Sequence, residues 1–263
     1  MTWTLEYRTL DELTIVDELS FNPIPLYRDL KAILLRDHYR VRVLPAAAAR
    51  WDRALLLNLT FWGVQGGGDV LVDDNIDADV VTHMGWHHLA ARALASDAGG
   101  TQSAEALLMG EAIASAFDLY LVGRLLEQAP GSSFLESQIP AMAETADAAG
   151  LSEQEFDGVL RGIAGDPERA FEDLRALLFD VSVALLACAD AGAALAVLER
   201  FSEHRFAPLL HRYELSTWVL FVSARAGAHE PDARVREIDR TLREQKRALD
   251  WLTSAWVHPA LGR

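Results

Sequence analysis

Residues 82–128 read THMGWHHLAARALASDAGGTQSAEALLMGEAIASAFDLYLVGRLLEQ, two long runs rich in alanine and leucine separated by DAGGTQ at 97–102. Neither run contains proline, and apolar residues return every three or four positions, which predicts helices near 78–96 and 103–128. A short connection holding Gly99 and Gly100 makes the two helices antiparallel neighbours. On a wheel of about 100° per residue, the apolar face of the first helix comprises Val80, Met84, Ala91 and Leu94. His83 and His87 fall inside that face, and His88 lies at its margin. The second helix sets Ala104, Leu107, Leu108, Val122, Leu125 and Leu126 on its apolar face, with Glu111, Ser115 and Asp118 at the centre.

Carboxylates in an aliphatic stripe are costly to bury unless positive charge meets them. Folding the hairpin sets Glu111 opposite His87 and Asp118 opposite His83. Two imidazoles one helical turn apart, joined by a carboxylate, form the donor set of a zinc site with an open position. The same set suits a facial iron(II) site. The expected ligands are therefore His83, His87 and Glu111. Asp118 would accept the other ring N–H of a ligand histidine, with Ser115 beside it. The cofactor expected is a divalent metal, Zn2+ first and Fe2+ as the alternative. The competing reading is a buried network in which the same ionisable residues satisfy one another without metal.

The pair HMGWH … GEAIASAFD, within residues 79–122, resembles the gluzincin group of zinc metallopeptidases. In that family two histidines on one helix and a glutamate on a following helix hold the zinc. The resemblance implies His83 and His87 as histidine ligands and Glu111 as the glutamate. The family's H-E-x-x-H helix carries its general base directly after the first histidine, and Met84 stands there. Asp79, one turn before His83, and His88, beside His87, are the nearest candidates for a catalytic proton-transfer role. The expected activity is metal-dependent hydrolysis of a small molecule or peptide derivative. An iron(II) oxygenase on the same ligands, or an inactive zincin-like or helical binding protein, are the alternatives.

Outward from the hairpin the chain stays helical. Helices are predicted near 135–149, 152–163, 167–190, 193–203, 207–226 and 232–256, punctuated by Pro130-Gly131, Gly150 and Gly165-Asp166-Pro167. Before the hairpin, residues 3–8 and 39–44 read as strands, and 25–37 as a helix entered through Pro25. A further helix follows Pro45, and a third short strand follows the glycine-rich GVQGGGDV at 63–70, a loop next to the candidate site. The fold class is mainly α, a multi-helix bundle-like domain with a small β element near the N-terminus. We read 1–263 as one domain: a mixed α/β part (1–75), the hairpin (76–130) and a helical C-terminal part (131–263). DDNIDAD (73–79) lacks the turn glycine and terminal glutamate of a calcium loop, and reads as an acidic cap with Asp77 at the N-cap. Glu214, with His211 alongside on the 207–226 helix, is an extra ligand or base, or a surface ion-pair partner.

Composition narrows the partners. Twenty-four basic against 39 acidic residues give a net charge of −15, which opposes binding to nucleic acid and to anionic membranes. A small-molecule or peptide substrate remains, and a homodimer or protein contact through the terminal helix at 241–256. The single Cys188 has no internal disulfide partner. The N-terminus lacks the basic flank of a signal peptide, and the apolar run at 181–198 is interrupted by Asp190. These features lead to the expectation of a cytoplasmic protein. No G-x-S-x-G elbow or Glu-x-x-His pairing appears, which disfavours serine-hydrolase and di-iron chemistry.

Overall fold

The N-terminal part is a small β framework around a helix. The computed structural model describes residues 4–61, 68–95, 102–226 and 230–263. Its first elements are β1 (Glu6–Thr9), β2 (Thr14–Val16), α1 (Glu18–Phe21), α2 (Pro25–Arg36), β3 (Arg40–Val43), α3 (Trp51–Leu59), β4 (Val70–Leu71) and β5 (Asn75–Asp77). Strand β1 pairs antiparallel with β3, and β4 joins the other side of β3 in parallel. The parallel pair β2–β5 was not foreseen, because three-residue strands some 60 positions apart leave no local periodicity to read. Helix α3 starts at Trp51 rather than directly after Pro45, since Ala48 N–H closes a turn onto the Pro45 carbonyl.

The remainder is helical: α4 (Ala78–Ala93), α5 (Ala104–Gln128), α6 (Ser133–Ala148), α7 (Glu153–Gly165), α8 (Pro167–Leu186), α9 (Ala191–Arg200), α10 (Arg212–Ala226), α11 (Ala233–Glu244), α12 (Ala248–Leu252) and α13 (His258–Leu261). The protein is thus mainly α. Several starts follow local chemistry: the Ser103 hydroxyl accepts from Ala106 N–H, Ser152 and Glu155 form a capping box, and Asp166 caps α8 with Pro167 in its first turn. Asp77 occupies the N-cap of α4, but its side chain makes no capping hydrogen bond.

Two helices expected as continuous are interrupted. Residues 207–209 form a 3₁₀ turn before α10, and the 232–256 run breaks at 245–247, where Gln245 and Arg247 are extended. The break redirects the chain across α8 and α2, burying Leu252, Trp256 and Val257. Tertiary burial overrides helix propensity here.

Helix α5 packs lengthwise between α4 and α8 at the centre of a buried cluster that runs from Leu10 to Ala260. By length and composition it is apolar enough to cross a membrane, a property the reading of 181–198 did not register. However, 83% of its most apolar window is buried inside the protein, as in a core helix. Helix α4 meets α2 closely at Gly85, where a Cβ would sit 2.9 Å from the Leu30 Cβ.

Both wheels placed the polar stripe in the wrong surroundings. On α4 the buried positions include Val81, Met84, Gly85, Trp86 and Leu89, whereas Ala91 is exposed and Val80 only half-buried. From Ala104 to Gly123 helix α5 is buried on nearly every side, and within that stretch Glu111, Ser115 and Asp118 are the partly accessible positions. The histidines and carboxylates therefore face a cleft between α4 and α5 rather than the core. A helix covered from several directions has no single apolar face, so the wheel loses its discriminating power.

Candidate metal centre

The cleft brings His83, His87 and Glu111 together, with one ligand-type atom from each lying within 4.8 Å of the others. The i, i+4 spacing on α4 stacks the two imidazoles on one ridge, with ring centroids 4.5 Å apart and planes at 77°. Glu111 reaches them from α5, its Oε1 lying 3.2 Å from Nε2 of His87.

Each histidine is held from behind by a carboxylate. His83 Nδ1 lies 3.0 Å from Asp118 Oδ2, and His87 Nδ1 lies 2.7 Å from Asp69 Oδ1. An ionised carboxylate only accepts, so both bonds put a proton on Nδ1 and leave Nε2 as the donor atom toward the cleft. This is the carboxylate–histidine arrangement that orients metal-binding imidazoles. Asp69 is itself positioned by the Tyr39 hydroxyl, which donates to its Oδ2 at 3.0 Å. Nε2 of His87 is buried 3.2 Å from Glu111 Oε1, in an ion-pair contact, and has no aligned hydrogen-bond partner among the described residues. An orphaned imidazole nitrogen aimed at a carboxylate and a second imidazole fits a cation between them better than a network satisfied by itself.

In the metal-free chain the same carboxylates favour protonated imidazoles, so proton and metal compete for these nitrogens. Burial opposes charge on His87, but Glu111 and Asp69 outweigh it and raise its pKa well above the ordinary 6.5. His83 rises too, with Asp118 prevailing over burial and over the like charge of His87. Burial also works against Asp69, yet the adjoining His87, then His83 and the Tyr39 hydroxyl, hold it down to about 2. Asp79 moves the other way, to about 7, through burial and the neighbouring Asp118 and Asp77.

The remaining sequence candidates take different places. Met84 is 1% exposed within the core, so the position of a gluzincin general base points away from the cleft. His88 is engaged elsewhere: its Nε2 lies 2.8 Å from Asp37 Oδ2, which also binds Arg92, and its ring packs on Tyr39. Asp79 sits behind His83 beside Asp118, with one buried carboxyl oxygen that has no partner among the described residues. Ser115 has no hydrogen bond among the described residues. Glu214 is half-buried on α10 and close enough to Glu111 and His83 to feel both; burial first, then Glu111, pushes its carboxyl up against the opposing His211 and His83. In DDNIDAD, Asp73 accepts from Asn75 N–H and Asp74 pairs with Arg8, so those acids do not converge.

Asp69 and Tyr39 were missed from sequence. Asp69 falls in the glycine-rich loop, of which residues 63–67 lie outside the described residues, as does the Gly99-Gly100 turn. A signal was present: Asp69 is the one ionisable residue between a run of three glycines and a strand. Gly68 has φ +90°, and a Cβ there would sit 1.9 Å from the Arg40 carbonyl oxygen. Only glycine lets the chain pass β3 this closely and deliver Asp69 to His87.

Asp69→Asn keeps the size of the side chain but removes the charge behind His87. Its metal affinity is expected to fall by roughly 10- to 100-fold, the usual cost of losing a carboxylate behind a ligand histidine. Competition with a chromophoric chelator measures this, and a change below twofold would show that Asp69 does not support a ligand.

No protein-family model, curated protein or solved structure matches the chain. What stands is a candidate divalent-metal site of two histidines and one carboxylate on a helical hairpin.

Proposed function

We propose that the protein is a metal-dependent enzyme, with His83, His87 and Glu111 holding zinc and hydrolysis as its reaction. The observation that carries this reading is the orphaned Nε2 of His87, set between Glu111 and His83 while Asp69 holds the opposite side of the ring. Bound zinc with an open position supplies a polarised water or carbonyl oxygen. The donor set is shared with gluzincins, but their base position is occupied by buried Met84. Glu214 on α10 is a half-buried carboxylate that burial makes readier to hold a proton than an exposed glutamate, which suits a proton-transfer group. Two histidines and one carboxylate also suit an iron(II) oxygenase, the second reading. A cytoplasmic setting accords with the lone, half-buried Cys188.

Elemental analysis of untagged protein purified without chelator tests the proposal. Close to one zinc per chain supports the hydrolase, whereas iron together with oxygen-dependent turnover would transfer the site to the oxygenase reading. If no metal is present and none is taken up on titration, the enzyme reading fails and the cluster is a structural network.

A pH dependence follows from the two raised histidines. A group whose folded pKa exceeds its unfolded value stabilises fully below the unfolded pKa, about 6.5 for histidine, and loses that contribution as pH rises through the folded value. Metal-free protein is therefore expected to lose thermal stability from about pH 6.5 upward. Metal affinity is expected to rise over the same range, because the ligand nitrogens must release protons. Asp69 adds an acid limb, present above its unfolded pKa near 3.9 and lost as pH falls toward about 2. Thermal scans from pH 5 to 9, with chelator and with added zinc, measure the opposing slopes. Parallel slopes would mean that the histidines do not exchange protons for metal.

A further inference from the structure

Beside the centre lies a cavity of about 260 Å³ that has His87 and Glu111 on its wall. At about 30 Å³ per water molecule in the liquid, it has room for roughly nine waters. That suits a molecule of one ring with a short substituent and is too small for an extended peptide. Its apolar lining includes Phe61, Ala90, Ala106 and Leu107. Phe61, at the end of α3, is held at φ +50°, a strained conformation for an aromatic residue. Strain of this kind persists where surrounding structure enforces it, often at binding sites.

The polar groups of the wall are mostly committed. The Asn58 amide exchanges both of its hydrogen bonds with the backbone of Val70, and the Tyr39 hydroxyl is bound to Asp69. Gln102 is the polar side chain left for a ligand among the described lining residues. No lysine or arginine lines the cavity among the described residues, and His87 and His88 on its wall are already paired with Asp69 and Asp37, so a phosphate or carboxylate finds no uncommitted cation there. The centre repels such groups as well. Asp69, Glu111 and Asp118 bring three negative charges against the two of a divalent cation, before Glu214 is counted.

We infer that the cavity takes a compact, non-anionic, largely apolar molecule, with one carbonyl or amide end that meets Gln102 and the His87–Glu111 edge. As a ligand class this rests on the cavity, and as a substrate class it rests also on the metal-dependent reading above. It selects the small molecule over the peptide as the substrate of that reading. An anion would lose its hydration without a compensating partner, which costs more than the 1.4 kcal/mol that corresponds to tenfold in affinity.

Binding of three probes of similar size tests the inference: neutral benzamide, anionic benzoate and anionic phenyl phosphate. Each is titrated by ligand-observed NMR into metal-free and zinc-supplemented protein and into Ala91→Trp, where an exposed residue at the rim is enlarged across the mouth. Benzamide is expected to bind both forms of the parent, the two anions at least about tenfold more weakly. Ala91→Trp is expected to lose benzamide binding by a similar factor while its metal content and melting temperature stay those of the parent. Equal or tighter binding of either anion overturns the inference, as does benzamide binding undisturbed by Ala91→Trp, or no binding at all. Selective benzamide binding by a chain that never takes up zinc would uphold the cavity's ligand class and remove the metal reading. Zinc uptake without probe selectivity would do the reverse.

Discussion

His87→Ala is expected to reduce bound metal from close to one equivalent per chain to background and to abolish metal-dependent turnover. Structural zinc sites bind with apparent free energies of about 10–16 kcal/mol. Shared over four ligands, that is about 2.5–4 kcal/mol each, or roughly 60- to 700-fold in affinity. His87 carries more than an average share, because its ring connects Asp69, Glu111 and the orphaned nitrogen in one line. His83→Ala removes the neighbouring donor and is expected to match it. The control is His88→Gln: its ring lies on Asp37 and Tyr39, so its metal content should equal the parent's. A purely structural network predicts the opposite pattern. His87→Ala would then lower the stability of metal-free protein, and no variant would differ in metal. Elemental analysis and chelator competition on the three variants, with parallel melting curves, separate the two.

Arg175→Met is expected to cost about 3–5 kcal/mol of stability, far from the cleft and without any change in the centre. The Arg175 side chain on α8 is fully buried. Its Nε and Nη2 bind the two oxygens of Glu172 at 2.8 Å each, and its Nη1 binds Asp239 of α11 at 2.9 Å. Nη1 also lies 3.5 Å from the Met109 sulfur on α5. One guanidinium thus joins three helices. Removing it leaves Glu172 buried without its partner, whereas Asp239 keeps Arg243. For a chain of this size the melting temperature should fall by roughly 10 °C. Arg175→Met/Glu172→Leu, which removes both charges, should recover most of the loss, since apolar packing often equals a buried ion pair. Denaturant unfolding of parent, single and double variants measures this. A single-variant loss below about 1 kcal/mol would place the ion pair among those that contribute little.

Much of the fold was legible because helices are written locally. Ser103, Ser152 with Glu155, and Asp166 with Pro167 mark helix starts by hydrogen bonds that span three residues or fewer. The i, i+4 spacing of His83 and His87, and the short link that sets α5 beside α4, were enough to bring Glu111 to the pair. The errors have a common origin. The wheel equated apolar stripes with the core, whereas α5 is enclosed by several neighbours and its polar line marks the open side. The 232–256 helix was read as one because its periodicity continues through a break that only packing on α8 and α2 makes favourable.

By itself, then, the sequence determined the helical class, the hairpin and the three candidate donor residues that cluster on it. Local backbone hydrogen bonding and side-chain periodicity suffice for each of these. The tertiary structure alone decided that the donors face a cleft, that Asp69 and Tyr39 stand behind His87, and that Glu214 approaches from α10. Those encounters join residues 18 to 131 positions apart. Such distances leave no periodic trace, and they are set by how the sheet, α4, α5 and α10 pack. At Gly68 the decisive feature is the space that a missing Cβ leaves against β3.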